Sequence, residues 1–281
     1  MTTAGVSAAP TAIALTIAGS DSSGGAGIQA DLKTFSAFGV YGASVITALT
    51  AQNTLGVQGI ETVSAAFVAE QLRSVLTDLD VGAIKTGMLA NAEIVEVVAS
   101  ALRSVSQCPL VVDPVMVATS GDVLLAPEAV NAIKRHLMPL ATLVTPNLPE
   151  AAILLASRQA RNEQEMTAQG KALLGAAGCH AVLIKGGHDV GDDATDILVS
   201  AAGVERFVRP RIATTNSHGT GCTLSAAIAA LLSQGAALPE AVDRAKIYVW
   251  EALRHGSGLG IGKGRGPVDH LFAVRGNPPP A

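Results

Sequence analysis

The sequence predicts an α/β protein with three layers, in which helices cover both faces of a mostly parallel central sheet. Hydrophobic residues make up 49% of the 281 residues and charged residues only 15%, a balance typical of a sheet that is buried on both sides. Strand-like and helix-like patterns alternate along the chain, which favours parallel strands joined by helical crossovers. Polar residues also recur where the predicted strands end, and ligands of such sheets bind at that edge.

The first half of the chain begins with a short apolar run, residues 12–18, which ends at Gly19 and is typical of a buried parallel strand. A helix is expected over 28–38, and the β-branched run 40–49 predicts a second strand. Ser64 and Asn91 are expected N-caps of two helices with apolar residues at helical spacing, which extend to about Leu79 and Leu102. Strands are expected over 83–86 and 110–113.

The second half continues this alternation. Pro149 stands near the first position of a predicted helix. Two short runs separated by Gly203 predict an exterior hairpin, and two Gly-rich or polar segments, 56–61 and 187–193, are expected to be flexible covers. The remaining predicted helices are 127–138, 163–177 and 239–253, and the remaining strands are 142–145 and 181–185.

One domain is expected over residues 12–272, between a disordered leader (1–11) and a C-terminal tail (273–281), because the chain shows no linker and no repeat. The net charge is −4 without a basic block, which argues against nucleic acid as a partner. Apolar runs are too short to span a membrane. The cysteines form no C-x-x-C pair, and no basic residue precedes Lys33, so we expect a cytoplasmic protein.

The segment from Asn216 to Cys222 is the strongest local signal for a binding site. Gly219 and Gly221 allow the backbone to approach a ligand closely, and the Ala- and Leu-rich run that follows predicts a helix. The first turn of a helix offers unpaired N–H groups and the positive end of the helix dipole, which bind phosphate oxygens. Thr220 and Cys222 fall in this turn, so the segment predicts an anion hole.

A second Gly-rich segment, residues 19–27, follows the first predicted strand but fits neither common nucleotide motif. Gly25 stands where a Walker A loop requires Lys. The dinucleotide pattern needs an acidic residue about twenty positions further on, and none occurs between Asp31 and Glu61. The dehydrogenase interpretation is therefore set aside.

The polar residues at the strand ends form a set that suits phosphoryl transfer. Asp113, Asn147 and Glu150 offer oxygen ligands for Mg²⁺ that carries nucleotide phosphates, and Lys185 could reach phosphate oxygens. Taken alone, each acidic or amide residue would be an ordinary helix cap or turn residue. The whole set at this edge is Gly19, Gln52, Lys85, Asp113, Asn147, Glu150 and Lys185.

Several segments together resemble the hydroxymethylpyrimidine/phosphomethylpyrimidine kinases of thiamine biosynthesis, in the ribokinase-like superfamily. The resemblance extends from about Ile13 to Leu271 and implies an α/β/α domain, ATP with Mg²⁺, two successive phosphate transfers and a homodimer. The segments that carry it are Ala18–Thr34, Val45–Thr54, Lys85–Leu89, Val112–Met116, Thr145–Ala151, Lys185–His188, His218–Ser225 and Gly266–His270.

The resemblance also implies a role for individual residues. Gly19, Asp31, Gln52 and Met88 would border the pyrimidine pocket, with Gln52 reading the aminopyrimidine edge. Asp113 and Glu150 would bind the metal, and Asn147, Lys185 and Thr220 the nucleotide. Gly219, Gly221, Lys185 and Cys222 would form the catalytic set.

Cys222 stands where most ribokinase-like enzymes carry Asp. A helix N-terminus lowers the pKa of a thiol from about 8.5, so we expect Cys222 to be partly thiolate and to accept the proton of the substrate hydroxyl. The alternative is a small residue without a proton role. His218 is expected to be a structural hydrogen-bonding residue.

Two other functions remain open from the sequence. A pyridoxine or pyridoxal kinase would act on a similar hydroxymethyl group on a flat ring, and a thiol at Cys222 could add to the aldehyde of pyridoxal. A nucleotide- or pyrimidine-binding protein without catalysis would consume no ATP.

Overall fold

A nine-stranded sheet runs through the part of the chain that the computed structural model describes, residues 11–116, 125–187 and 191–275. The strands lie in the order β3-β2-β1-β4-β5-β6-β7-β8-β9. Their bounds are β1 (Ile13–Asp21), β2 (Tyr41–Asn53), β3 (Gly56–Thr62), β4 (Ala83–Thr86), β5 (Leu110–Val112), β6 (Leu143–Val144), β7 (Ala181–Lys185), β8 (Asp193–Ser200) and β9 (Gly203–Pro210).

The centre of the sheet is parallel and its two edges are antiparallel. The pairs β1–β2, β1–β4, β4–β5, β5–β6 and β6–β7 are parallel. The hairpins β2–β3, β7–β8 and β8–β9 are antiparallel. Because the parallel strands point the same way, their carboxyl ends meet at one edge, as the sequence predicts.

Helices cover both faces of the sheet. Helices α1, α7 and α8 pack on one face, and α2 to α6 pack on the other. Their bounds are α1 (Gly27–Ala37), α2 (Ala65–Leu76), α3 (Ala92–Leu102), α4 (Pro127–Ala132), α5 (Leu148–Leu155), α6 (Glu163–Ala177), α7 (Thr220–Ser233) and α8 (Leu238–Gly256). This arrangement confirms the predicted α/β/α architecture.

Helix α7 fixes the position of the predicted anion hole. It packs between α1 and α8 and against β4 and β5, and every residue from 223 to 231 is buried. A helix that is buried all round is mostly apolar, which explains its run of Ala, Leu and Ile, and the buried hydroxyls of Thr223 and Ser225 are hydrogen-bonded. Its small Ala side chains allow close packing, so the helix N-terminus is held rigidly beside the strand ends.

The predicted helix starts are confirmed at two capping residues and one proline. The Ser64 hydroxyl accepts a hydrogen bond from the Phe67 amide at 3.3 Å, and the Asn91 side chain accepts one from the Ile94 amide at 2.9 Å. Pro149 lies in the first turn of α5, as expected. Each cap satisfies an N–H group that the helix itself leaves unpaired.

Two predicted segments differ from the structure, and a third lies partly outside the described residues. Residues 56–61, expected to be a flexible cover, belong to β3, which pairs with a β2 that is longer than predicted. The predicted hairpin forms, but β8 is not exterior, since Ile197, Leu198 and Val199 are buried. The second expected cover falls partly on 188–190, outside the described residues.

The predicted domain limits stay predictions, since the leader and the tail fall almost entirely on residues 1–10 and 276–281, which the structure does not describe. Within the described residues, no helix combines the length and the apolar character that crossing a membrane requires. All three cysteines of the chain lie in the described part and are unpaired thiols.

Candidate active site

A cavity of about 800 Å³ opens where the parallel strands end. Asp113 and Cys222 lie in widely separated segments, yet both line this cavity. Among the residues predicted from the sequence, Asp31 alone does not line it. Those that do are Gly19, Gln52, Lys85, Met88, Asp113, Asn147, Glu150, Lys185, Gly219, Thr220, Gly221 and Cys222.

Residues 219–222 form a backbone turn that we call the amide cradle. Gly219 precedes α7 with φ +83°, a left-handed conformation that favours glycine. A Cβ atom at this position would lie only 1.8 Å from the Gly25 carbonyl oxygen, so a side chain cannot be accommodated. A Cβ atom at Gly221 would lie 3.4 Å from Lys185 Nζ and 3.9 Å from Asp113 Oδ2. The cradle therefore faces the Asp113–Lys185 pair directly.

Asp113 and Lys185 form a buried ion pair at the strand ends. Lys185 Nζ lies 2.8 Å from Asp113 Oδ1 and 3.9 Å from Glu150 Oε2. Burial opposes the ionisation of Asp113, but Lys185 and Lys85 outweigh it and hold the pKa of Asp113 below its ordinary value. The Ser225 hydroxyl donates to Asp113 Oδ2 at 3.1 Å. Since Ser225 lies on α7, this bond joins the cradle helix to the end of β5.

Glu150 carries a proton more readily than an ordinary carboxyl. Burial raises its pKa to about 7, and the negative charge of Asp113 adds to this effect, whereas Lys185 opposes it. A divalent cation would relieve the same repulsion, so the two carboxylates fit a Mg²⁺ site. Within residues 11–116, 125–187 and 191–275, no group of three or more acidic, His or Cys residues could hold a metal. Mg²⁺ commonly uses one or two carboxylates and completes its shell with phosphates and water.

Asn147 and Glu150 also have a structural role. The Asn147 side chain accepts a hydrogen bond from the Glu150 amide at 2.9 Å, and Glu150 Oε2 accepts one from the Asn147 amide at 2.7 Å. This reciprocal capping box starts α5. The helix-cap alternative is thus confirmed for Asn147, and the cap holds both side chains at the cavity wall.

Asp31 does not itself line the cavity, and its predicted position at the border of the pyrimidine pocket stays a prediction. Its carboxylate is fully buried and lies 2.9 and 2.7 Å from Lys85 Nζ. The Thr16 hydroxyl also donates to it, at 2.6 Å. Burial raises the pKa of Asp31, and the carboxylate in turn raises the pKa of Lys85 although burial opposes this. Asp31 therefore holds Lys85 in place, and Lys85 is the member of the pair that lines the cavity.

Cys222 is a thiol rather than a partial thiolate, which corrects the expectation from its position at a helix start. Cys222 is half-buried: part of the residue is exposed to the cavity, and other residues of the protein enclose the rest. Burial raises the pKa of Cys222 to about 11; Lys85 opposes this shift, and the Asp31 and Asp113 carboxylates add to it. Desolvation therefore outweighs the helix dipole at this position.

A hydrogen bond that the sequence did not predict joins the first Gly-rich loop to the cradle. His218 Nε2 lies 2.8 Å from Asp21 Oδ2, and the same oxygen accepts hydrogen bonds from the Gly25 and Ala26 amides. Burial opposes the ionisation of Asp21, but hydrogen bonds from His218 and Ser23 lower its pKa to about 2. His218 is therefore a hydrogen-bonding partner, as expected. The two residues are 197 positions apart, and no local pattern could have revealed their contact.

Gly19, Gln52 and Met88 lie together on one side of the cavity. A Cβ atom at Gly19 would lie 2.8 Å from Met88 Sδ, so the thioether packs on the bare backbone. The Thr50 hydroxyl donates its one proton to the Ser20 carbonyl at 2.8 Å and lies 3.1 Å from the Gln52 side-chain amide. The Gln52 amide offers both a donor and an acceptor at the cavity wall.

The opposite side of the cavity contains an apolar region that sequence reasoning missed. Pro210, Val249, Trp250 and Leu253 contribute to it. The Trp250 indole N–H donates to the Pro210 carbonyl at 2.8 Å, which ties α8 to the end of β9. A flat apolar group can bind here. Helical periodicity marks such residues only as one face of a helix, so their role as a cavity wall could not be predicted.

Comparison with known proteins places the chain among kinases. The phosphomethylpyrimidine kinase family model matches residues 21–269. The chain is 56% identical to the hydroxymethylpyrimidine/phosphomethylpyrimidine kinase of Rhizobium meliloti (strain 1021) over 261 residues, which are 93% of this chain and 97% of that protein.

Two solved structures show the same fold. Phosphomethylpyrimidine kinase from Clostridium difficile 630 has a TM-score of 0.76 and 44% identity, covering 86% of this chain and 99% of that one. The ADP complex of Bacillus subtilis pyridoxal kinase has a TM-score of 0.86 and 36% identity, covering 95% and 100%. The predicted ribokinase-like fold is thereby confirmed. With a family model that matches most of its length and a kinase relative at 56% identity, this chain belongs to the phosphomethylpyrimidine kinase family.

Proposed function

We propose that this protein uses ATP to phosphorylate 4-amino-5-hydroxymethyl-2-methylpyrimidine to its monophosphate, and then the monophosphate to the diphosphate, in thiamine biosynthesis. The observation that carries the proposal is the cavity in which the amide cradle faces the Asp113–Lys185 pair. Membership of the phosphomethylpyrimidine kinase family supports this choice of substrate. The ADP complex of the Bacillus subtilis pyridoxal kinase supports a nucleotide as the phosphate donor.

In this proposal the two sides of the cavity bind the two substrates. The pyrimidine lies against Gly19 and Met88, where the side-chain amide of Gln52 pairs its donor and its acceptor with the edge of the ring. The nucleotide lies on the side of Asn147 and Thr220. The substrate hydroxyl and the transferred phosphate then meet between these two sides, next to the cradle.

Charge stabilisation at the cradle is the main catalytic contribution that we propose. The backbone N–H groups of Gly219, Gly221 and Cys222 bind the oxygens of the transferred phosphate, and Lys185 contributes its ammonium group from the opposite side. Asp113 holds that ammonium group at 2.8 Å. Mg²⁺, held by Asp113 and Glu150 together with nucleotide phosphates, would neutralise the negative charge of the phosphates.

The two transfers differ in their need for a base. The hydroxyl of the first substrate must lose its proton, whereas the phosphate of the second is largely ionised because its second pKa is about 6. Cys222 is the proposed proton acceptor of the first transfer. Lys85 favours its thiolate form, although burial keeps that form rare at neutral pH.

An assay that couples ADP release to a colour change measures ATP consumption and so tests this function directly. The proposal predicts ATP consumption with hydroxymethylpyrimidine and slower consumption with pyridoxal. Faster turnover of pyridoxal would instead establish a vitamin B6 kinase, an alternative that the fold similarity to pyridoxal kinase keeps open. ATP consumption with neither compound would contradict both kinase functions.

We also propose that the enzyme is a homodimer and that it works in the cytoplasm. Strand β3 is the edge of the sheet, and Leu55 and Ile60 beside and within it are exposed. Such an edge is suited to contact with a second copy of the chain. Light scattering should give twice the mass of the chain, and the mass of one chain would contradict the dimer.

A further inference from the structure

Arg265 differs from the other basic residues that line the main cavity. Within the described residues, the others have acidic partners or, for Arg211, main-chain carbonyl partners. Within the same described residues, the Arg265 guanidinium has neither an acidic partner nor a main-chain carbonyl partner. Basic residues that line the cavity are Lys85, Lys185, Arg209, Arg211, Lys246 and Arg265.

The backbone around Arg265 is held firmly on two sides. The Arg265 amide donates to the Thr54 carbonyl at 2.9 Å, and the Gly264 amide donates to the Thr54 hydroxyl at 3.1 Å. On the other side, the Gly266 carbonyl accepts a hydrogen bond from the His218 amide at 3.1 Å. Arg265 is thereby fixed between the β2–β3 turn and the residue that precedes the cradle.

A second, smaller cavity of about 210 Å³ adjoins the main one at this position. Gln52, His218 and Arg265 line both cavities. None of the described residues that line the smaller cavity carries a carboxylate. Its side chains include the amide NH₂ group of Asn53, whose oxygen is already bonded to the Leu55 amide at 2.9 Å. Hydrogen-bond donors and one cation therefore face this region, which suits an oxyanion.

The second substrate of the proposed reaction needs such a cation. A phosphate monoester carries about −1.5 to −2 charges at pH 7, and it must bind beside a nucleotide that is also anionic. Lys185 is paired with Asp113 on the nucleotide side, and Asp21 adds a negative charge next to His218. An unpaired guanidinium on the pyrimidine side would compensate the added charge and can bind phosphate through two parallel hydrogen bonds.

We propose that Arg265 recognises the phosphate group of the monophosphate substrate and so serves the second transfer but not the first. This inference rests on the proposed two-step function and assigns a specificity-determining residue to its second step. The unphosphorylated pyrimidine carries no phosphate group and so lacks its negative charge. Its binding therefore does not depend on the guanidinium.

Steady-state kinetics of Arg265→Gln with each pyrimidine tests the proposal. The KM for the monophosphate should rise about 10- to 100-fold, the effect of losing a hydrogen bond between charged groups. The KM for the alcohol should stay within about twofold, because a charge-assisted bond is lost only with the phosphate. Arg265→Lys keeps the charge and should recover part of the loss.

Lys263→Gln is the matched control. It removes one positive charge from the same exposed segment, but Lys263 lines neither cavity, so both KM values should stay unchanged. An equal rise of both KM values in Arg265→Gln, or no rise in either, would overturn the proposal. Thermal melting checks that each variant is folded.

Calorimetric titration without ATP separates this inference from the proposed function. Wild-type protein should bind the monophosphate about 10-fold or more tightly than Arg265→Gln does, and both should bind the alcohol equally. If the protein bound the monophosphate in this Arg265-dependent way but consumed no ATP, the kinase function would fail and the assignment of Arg265 would stand. Equal affinity of both proteins for the monophosphate would overturn the assignment.

Discussion

Replacement of Cys222 with Ala should impair the first phosphate transfer much more than the second at alkaline pH. Burial raises the pKa of Cys222 to about 11, so the thiolate is rare at pH 7 and becomes appreciable only near pH 10. The thiolate accepts the proton of the substrate hydroxyl, and a positioned base contributes about 10²- to 10⁴-fold to such a step, so the loss should be small at pH 7 and about 10-fold or more near pH 10. The phosphate of the second substrate is largely ionised, so loss of the thiol should change the second transfer only about threefold or less.

The assay supplies each pyrimidine separately and follows its phosphorylated product. In wild type, the rate of the first transfer should rise about tenfold per pH unit below pH 11, because the thiolate fraction rises in that proportion. Cys222→Ala should remove this slope. Cys108→Ala is the matched control, since that half-buried thiol donates to the Val81 carbonyl and does not line the cavity. An equal loss in both transfers would refute the role of Cys222 as a base.

Two further predictions concern stability. Lys85→Met should cost about 3–5 kcal/mol, because it leaves the fully buried Asp31 carboxylate without its partner; urea unfolding measures this, and a loss below about 1 kcal/mol would contradict it. Burial lowers the pKa of His270 from 6.5 to about 4, so the unfolded chain takes up a proton in that range that the native protein does not. Stability should therefore fall as the pH decreases from 6.5 to 4. In the His270→Gln variant, this loss of stability at low pH should be smaller by about 3 kcal/mol. An unchanged pH dependence of the stability would contradict the low pKa of His270.

The layers of the fold could be predicted because they follow from local periodicity. Buried parallel strands give short apolar runs, and amphipathic helices repeat their apolar residues every three or four positions. Strand β3 was missed because it has neither signal. It lies at the edge of the sheet, most of its residues are exposed, and it contains Gly56 and Gly59.

Two features of the sequence predict part of the candidate site. They are the polar residues at the ends of the predicted strands and the Gly-rich start of a predicted helix. These features bring Asp113, Lys185 and Cys222 to one cavity. Contacts between distant segments could not be predicted, because nothing in the sequence near Asp31 indicates that Lys85 neutralises it. The pKa of Cys222 was misjudged for a related reason, since the helix dipole is visible in the sequence and the degree of burial is not.

One cavity of this protein is proposed to perform two successive phosphate transfers. A single-turnover reaction with excess enzyme, ATP, Mg²⁺ and hydroxymethylpyrimidine, quenched at short intervals, measures this directly. The monophosphate should appear first and then decline as the diphosphate forms. Absence of any phosphorylated pyrimidine, or a monophosphate that accumulates and is never converted, would contradict the account.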